Sequence, residues 1–180
     1  MSYCAVIRDA KLDPCHRIYH DTEYGFPIRD DNALFERLIL EINQAGLSWT
    51  TILKKRHGFR AAYAEFDIAK VAAFGDKDRE RLLADASIIR NRLKVNAAIT
   101  NANTALRLIA EHGSVGAWLD RQHPQTPEAW GKLFKKTFVF TGGEIVREFL
   151  LSTGYLPGAH DKDCPVHRRI LKLKPPWSTS

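Results

Sequence analysis

Four residues at the two ends of the chain can do metal chemistry together. Cys4, His20, His160 and Cys164 form a Cys2His2 set able to hold zinc tetrahedrally, which would tie the termini to each other. His160-x3-Cys164 keeps two ligands within one helical turn or one tight loop, while fifteen residues separate Cys4 from His20. No spacing is the short C-x2-C of a zinc finger, so spacing alone leaves two rivals open, Cys15-His16 and Cys164-x2-His167. His57, His112 and His123 fall at helix ends or in loops and read as structural or solvated.

Two other stretches carry groups that could act on a ligand. Ile18-Tyr19-His20-Asp21-Thr22-Glu23-Tyr24-Gly25 and Leu40-Glu41-Ile42-Asn43-Gln44-Ala45-Gly46-Leu47-Ser48-Trp49 are dense in polar and aromatic side chains. Glu41 borders the apolar stripe of its helix. It is either a solvated edge carboxylate or a buried acid held for a purpose. Trp49, just inside the next helix, is either core packing or a binding ring. No Ser-His-Asp set and no phosphate-cradling glycine loop stands out.

The elements that must position these groups read as helices. Asp31 caps a helix to about Gln44 with Leu34, Phe35, Leu38, Ile39 and Ile42 on one stripe. Gly46 breaks it, and Ser48 caps a second helix through Lys54-Lys55-Arg56, with Gly58 where a terminating glycine belongs. Asp67 and Asp76 read as caps for Ile68–Phe74 and Lys77–Ala84. The longest candidate runs from Asn91 to Glu111 and stops at Gly113. Thr126-Pro127-Glu128 opens another. Phe138-Val139-Phe140 is short and β-prone, and Gly142-Gly143 opens a helix that ends by Gly154. The expected class is all-α with short connections. Between Leu82 and Lys94 two helices meet in a hairpin. The N–H groups opening its second helix could hold a phosphate, with Arg90, Arg92 and Lys94 beside them. On residues alone it could equally be an ordinary αα-turn.

The 180 residues suit one domain, and 44% apolar content suffices for a core. No run of about 18 apolar residues predicts a membrane span. The N-terminus lacks a signal peptide's order, and three cysteines, an odd number, argue for a reducing cytoplasm rather than a disulfide framework. The net charge of +6 favours a polyanionic partner, usually nucleic acid, beyond its effect on solubility. A basic tail, about 168–180, holds Arg168, Arg169, Lys172 and Lys174 and runs into Pro175-Pro176-Trp177, which reads as frayed.

Taken in order, these pieces resemble the 3-methyladenine DNA glycosylase I family. The likeness rests on Cys4, on Tyr19 to Gly25, and on Leu40-Glu41 followed by Gln44-Ala45-Gly46-Leu47-Ser48-Trp49. It continues through Leu53-Lys54-Lys55-Arg56, Phe66-Asp67, Val71-Ala72, Asp85-Ala86 and Ile88-Ile89-Arg90, with Arg92 and Lys94, and is completed by His160 and Cys164. It is strong up to about Leu106 and weaker beyond, apart from the ligands. The resemblance implies a helix–hairpin–helix fold with the motif at about 82–100, and structural Zn2+ on Cys4, His20, His160 and Cys164, away from the chemistry. Glu41 and Tyr19 would line a base pocket and hydrogen-bond a flipped base, with Trp49 stacking on it and Tyr24 as a further pocket aromatic. Gln44 and Leu47 would plug the gap left in the duplex. The implied activity is that of a monofunctional hydrolase, releasing 3-methyladenine from alkylated double-stranded DNA. It would act as a monomer, without nucleotide cofactor or membrane contact. Two departures thin the aromatic lining: Val6 and Tyr24 stand where the family commonly has tryptophan. They motivate the alternative of a DNA-binding member with lost or altered excision.

Overall fold

The computed structural model describes residues 2–9 and 11–179. Every regular element among them is helical: α1 (Tyr3–Val6), α2 (Pro14–Thr22), α3 (Asp31–Gln44), α4 (Trp49–Ala62), α5 (Ile68–Ala72), α6 (Asp76–Ala84), α7 (Arg92–His112), α8 (Val115–Gln122), α9 (Pro127–Thr137), α10 (Gly143–Ser152) and α11 (Pro165–Lys172). Short 3-10 turns occupy Ala64–Phe66 and Pro176–Ser178.

Helix α3 is the axis. Its cap is Asp30, whose carboxylate accepts the Ala33 N–H at 2.8 Å. Asp31, expected as the cap, is the first helical residue. Its carboxylate instead receives the Val115 N–H at 2.9 Å and so satisfies the start of α8. Every residue from Leu34 to Asn43 is buried, so the predicted apolar stripe belongs to a helix enclosed on all sides. Such a helix cannot hide polar groups without partners at little cost. Glu36, Arg37, Glu41 and Asn43 therefore each need a reason to be there.

After the bend at Gly46, α4 runs four residues past Gly58, which is not a terminator. A Cβ at Gly58 would lie 2.7 Å from both the Cβ and the carbonyl oxygen of Ser87, so the glycine lets the α6–α7 hairpin rest directly on α4. Gly58→Ala is expected to cost about 1–3 kcal/mol in urea unfolding, because backbone rather than a flexible side chain must yield. Stability equal to the parent would refute that reading.

The hairpin itself is built from caps. Gly75, not Asp76, precedes α6, and the Asp78 carboxylate accepts the Gly75 N–H at 3.1 Å. The Asn91 side chain accepts the Leu93 and Lys94 N–H groups at 3.0 and 3.1 Å and starts α7. Between them, the Asp85 carboxylate takes the Ser87 N–H at 2.8 Å, and the Lys55 ammonium donates to the Ala86 carbonyl at 2.7 Å.

Two expectations about the C-terminal third are corrected. Phe138-Val139-Phe140 forms no strand; the Asn101 amide brackets the Val139 backbone instead, donating at 3.0 Å and accepting at 2.9 Å, and so does the work of a partner strand. The segment read as a frayed tail is ordered: α11 carries Arg168, Arg169 and Lys172, and Pro175 and Pro176 are buried. The Trp177 N–H donates to the Gly154 carbonyl at 3.3 Å, and its ring stacks on His167 at 5.9 Å. Among the described residues no helix is long and apolar enough to cross a membrane.

Candidate active site and metal centre

A cavity of about 620 Å³ opens where α1, α2, α3, α10 and the α3–α4 bend converge. Helix α2 contributes Tyr19 and the loop after it Tyr24. Helix α3 contributes Glu41 and Gln44, the bend Leu47, and the first turn of α4 Trp49. The cavity thus gathers six of the residues singled out in the sequence. Arg90 and Arg92 do not line it; they lie exposed on the hairpin.

Glu41 is the unusual group. The residue is 4% exposed, and its carboxyl makes no hydrogen bond or ion pair with any described residue. Burial pushes its carboxyl up to about 8, with the neighbouring Arg37 guanidinium pulling the other way. Tyr19 is held differently. Arg37 Nη1 donates to the Tyr19 hydroxyl oxygen at 2.6 Å, and the guanidinium lies over the ring at 4.9 Å. Burial raises the Tyr19 pKa further above its ordinary value, so the phenol keeps its proton and can donate it. Arg37 is itself paired with Glu23 at 3.2 Å, and Glu23 receives Arg56 at 2.6 Å. Arg56 and Arg60 both clasp Glu36, at 2.8 and 2.9 Å. This chain of ion pairs accounts for the other buried charges of α3 and locks α2, α3 and α4 together behind Tyr19.

The aromatic walls meet edge to face at Tyr19–Trp49 and Tyr3–Tyr24 and tilted at Tyr19–Tyr24. Tyr19 lies 5.2 Å from Trp49 and 5.7 Å from Tyr24, and Tyr3 lies 5.1 Å from Tyr24. The Trp49 indole N–H is buried with no hydrogen-bond partner, a second unspent polar atom in the same wall. Opposite stands α10, which presents Glu144, Glu148 and Leu151, spaced at i, i+4 and i+7 on one helical face. The Tyr24 hydroxyl donates to Glu148 at 3.0 Å. Sequence reading missed Glu148 and Arg37. The i, i+4, i+7 spacing on α10 could have flagged the first; nothing local distinguishes Arg37 from an ordinary helical arginine.

Beside the cavity, Cys4, His20, His160 and Cys164 are all buried, and their ligand atoms lie within 4.8 Å of one another. Cys4 Sγ to His20 Nε2 is 3.2 Å, His20 Nε2 to His160 Nδ1 is 3.1 Å, and Cys164 Sγ to His160 Nδ1 is 3.8 Å. Metal bonds of about 2.0–2.3 Å arranged tetrahedrally require edges of about 3.3–3.8 Å, so these three separations are near what a metal ion needs and the set could hold one. The outer nitrogens are already engaged: Asp21 faces His20 Nδ1 at 2.7 Å, and His160 Nε2 donates to the Tyr24 carbonyl at 2.6 Å. Those bonds aim the other nitrogen of each ring at the centre. Gly25, at φ +81°, makes this possible, since a Cβ there would lie 2.8 Å from Ala159 and 3.2 Å from the His160 ring. The rival ligands are occupied elsewhere. His16 sits between the Tyr3 hydroxyl at 2.8 Å and Thr50 at 2.7 Å, and His167 stacks on Trp177.

Lys94 departs from expectation. It was read as surface charge beside the hairpin, but it is buried, with its ammonium donating to the Asn43 carbonyl at 2.8 Å and the Ala45 carbonyl at 2.7 Å. It closes the C-terminus of α3 and braces the bend that carries Gln44 and Leu47 against α7. Lys94→Met is expected to cost about 1–3 kcal/mol, the penalty for stranding buried carbonyls, and to leave the salt slope of duplex binding unchanged. A shallower slope at parental stability would return Lys94 to the DNA surface.

An all-helical basic domain with a ring-walled cavity, closed by an unpartnered acid, is suited to taking one flat, electron-poor group out of a polyanion. Residues 9–130 match the methyladenine glycosylase family. The chain is 35% identical over 166 residues to the DNA-3-methyladenine glycosylase of Haemophilus influenzae, covering 82% of this chain and 89% of that protein. It is 51% identical over 96 residues to DNA-3-methyladenine glycosylase 1 of Escherichia coli; that match takes in 53% of this chain and spans about half, 51%, of the relative. A crystal structure of a 3-methyladenine DNA glycosylase I variant in complex with 3-methyladenine superposes with a TM-score of 0.81 at 32% identity, covering 92% of this chain and 97% of that one. The chain belongs to the methyladenine glycosylase family.

Proposed function

We propose that the chain binds alkylated double-stranded DNA, everts a damaged nucleotide into the Glu41–Tyr19–Trp49 cavity and hydrolyses its N-glycosidic bond, releasing 3-methyladenine and leaving an abasic site. The observation that carries this reading is Glu41, a carboxyl buried in a ligand-sized cavity without any hydrogen-bond partner. Buried carboxyls of this kind cluster at functional sites, where a ligand supplies the missing partner.

The chemistry follows from charge. Adenine methylated at N3 is a cation inside DNA, and this already weakens its bond to the sugar. Eversion costs a few kcal/mol, least for a damaged base. In the empty cavity burial favours the protonated form of Glu41; an arriving cation expels that proton and pairs with the carboxylate. The rings of Trp49 and Tyr19 add about 0.5–2 kcal/mol each for a cationic base once water is excluded. Tyr19, its oxygen engaged by Arg37, has its proton free for an acceptor on the base edge. Water then attacks the anomeric carbon as the neutral base departs. Among the described residues no lysine lines the cavity, which favours simple hydrolysis over Schiff-base strand cleavage.

Outside the cavity, Gln44 and Leu47 on the bend would fill the space vacated in the duplex. The α6–α7 unit would act as a helix–hairpin–helix, with the opening N–H groups of α7, Arg90 and Arg92 on phosphate. The four-residue cluster would hold structural Zn2+, whose closed coordination contributes folding energy and leaves no position for a reacting water.

Incubation with methylated duplex DNA and chromatography of the released base tests the reading. 3-Methyladenine should appear, with intact strands bearing abasic sites. Tight binding to that DNA with no base released would favour the excision-deficient alternative, to which Val6 in the cavity wall lends some weight.

A further inference from the structure

The charges around the cavity run against those of the molecule. The chain carries a net charge of +6, yet three carboxylates, Glu41, Glu144 and Glu148, line the cavity against the guanidinium of Arg147, while Arg37, behind Tyr19, is already paired with Glu23. Arg147 is 54% exposed and is tied to the two carboxylates beside it, Glu148 at 2.8 Å and Glu144 at 3.4 Å, so water screens it. Glu148 is better sheltered, at 28% exposed, and one of its oxygens is fixed by the Tyr24 hydroxyl at 3.0 Å. Tyr24 also supplies the backbone carbonyl that receives His160, so the ring that steers Glu148 is anchored to the metal cluster.

We propose that Glu148 is a specificity-determining residue: oriented by Tyr24, it sets a second negative wall facing Glu41, and the pair selects bases bearing fixed positive charge over neutral bases of the same shape. The inference rests on the functional reading above and names the class of substrate it favours, N-alkylated cationic purines. Two carboxyls sharing a partly dry cavity repel, and each resists ionisation while the other is charged. Burial and the neighbouring charge of Glu144 raise Glu148 in the same sense, and Glu148 in turn raises Glu41. A neutral base leaves Glu41 holding its proton beside Glu148. A cation lets both carboxyls ionise against it, so the cavity gains most from the ligand that carries the charge. The Tyr24 phenol fixes the wall by donating to one Glu148 oxygen, a bond that a phenylalanine at this position could not make.

The test compares two purines as inhibitors of excision from methylated duplex. One is 3,9-dimethyladeninium, a cation at pH 8, with a methyl group where the sugar would be. The other is free 3-methyladenine at pH 8, which is neutral. The parent should bind the cation more tightly. Glu148→Gln should shrink that preference about tenfold, Glu148→Asp should restore most of it, and Tyr24→Phe should fall between. Equal preference in Glu148→Gln and the parent would overturn the proposal, as would parental indifference to charge. Failure of the parent to release any base would instead sink the functional reading, and the inference with it. Each ratio is taken within one variant, so a merely destabilised Glu148→Gln lowers both affinities without changing it.

Discussion

Glu41→Gln is expected to lower excision of 3-methyladenine by about a hundredfold or more while making the protein less sensitive to alkaline pH. The first effect follows from removing the charge that pairs with the cationic base, in a site where water does not dilute it; loss of one such preorganised group costs about 3–4 kcal/mol of transition-state stabilisation. The second follows from linkage. The folded carboxyl titrates near 8 against an ordinary value of 4.5, so the folded state binds the proton more tightly than the unfolded chain does. This contribution is fully present below pH 4.5 and is lost as pH rises to about 8, at about 1.4 kcal/mol per pH unit. Glutamine has no proton to lose. Urea melts at pH 5 and pH 8 should therefore show the variant gaining on its parent by a few kcal/mol across that window. Parallel pH profiles would mean that Glu41 is not desolvated in solution, and unchanged turnover would remove it from the chemistry.

Cys164→Ser, or removal of metal by a chelator, should act chiefly on stability. A structural zinc site is worth about 10–16 kcal/mol in isolated peptides, comparable to the whole stability of a domain at about 5–15 kcal/mol. Even a third of that, retained after relaxation, would lower the melting temperature by about 10 °C or more in a chain of this size. The cluster also borders the cavity. Tyr3 and Val6 lie on the same short helix as Cys4, and Gly158 and Ala159 precede His160; all four line the cavity. Loosening the cluster should therefore raise KM for methylated DNA more than it lowers kcat per folded molecule. Thermal melts paired with metal content and steady-state kinetics check this. A variant that keeps parental melting behaviour would show that the four ligands do not staple the fold.

Much of the site could be read from local spacing, and the residues show why the rest could not. QAGLSW places a bend, a cap and a ring in six consecutive residues, and Gln44, Leu47 and Trp49 all line the cavity at the α3–α4 turn. Glu41 was ambiguous between surface and interior because periodicity sees one stripe; only packing on every side of α3 makes the remaining face interior too. Lys94 misled for the opposite reason. Its neighbours Arg90 and Arg92 are solvated, and nothing nearby in sequence reveals the α3 carbonyls waiting across the fold. Val139 looked like strand because β-prone residues seek backbone partners, and a distant asparagine supplied them.

Local sequence was enough to establish the helical class, several helix caps and the candidate side chains for a metal or a base, since these depend on neighbours within about one turn of chain. Which histidines belong together, which acid goes without a partner and which glutamate faces it depended on contacts between residues far apart in the chain. Burial and electrostatics act through space, and their strength is set by how completely the surrounding helices exclude water, a property of the packed whole.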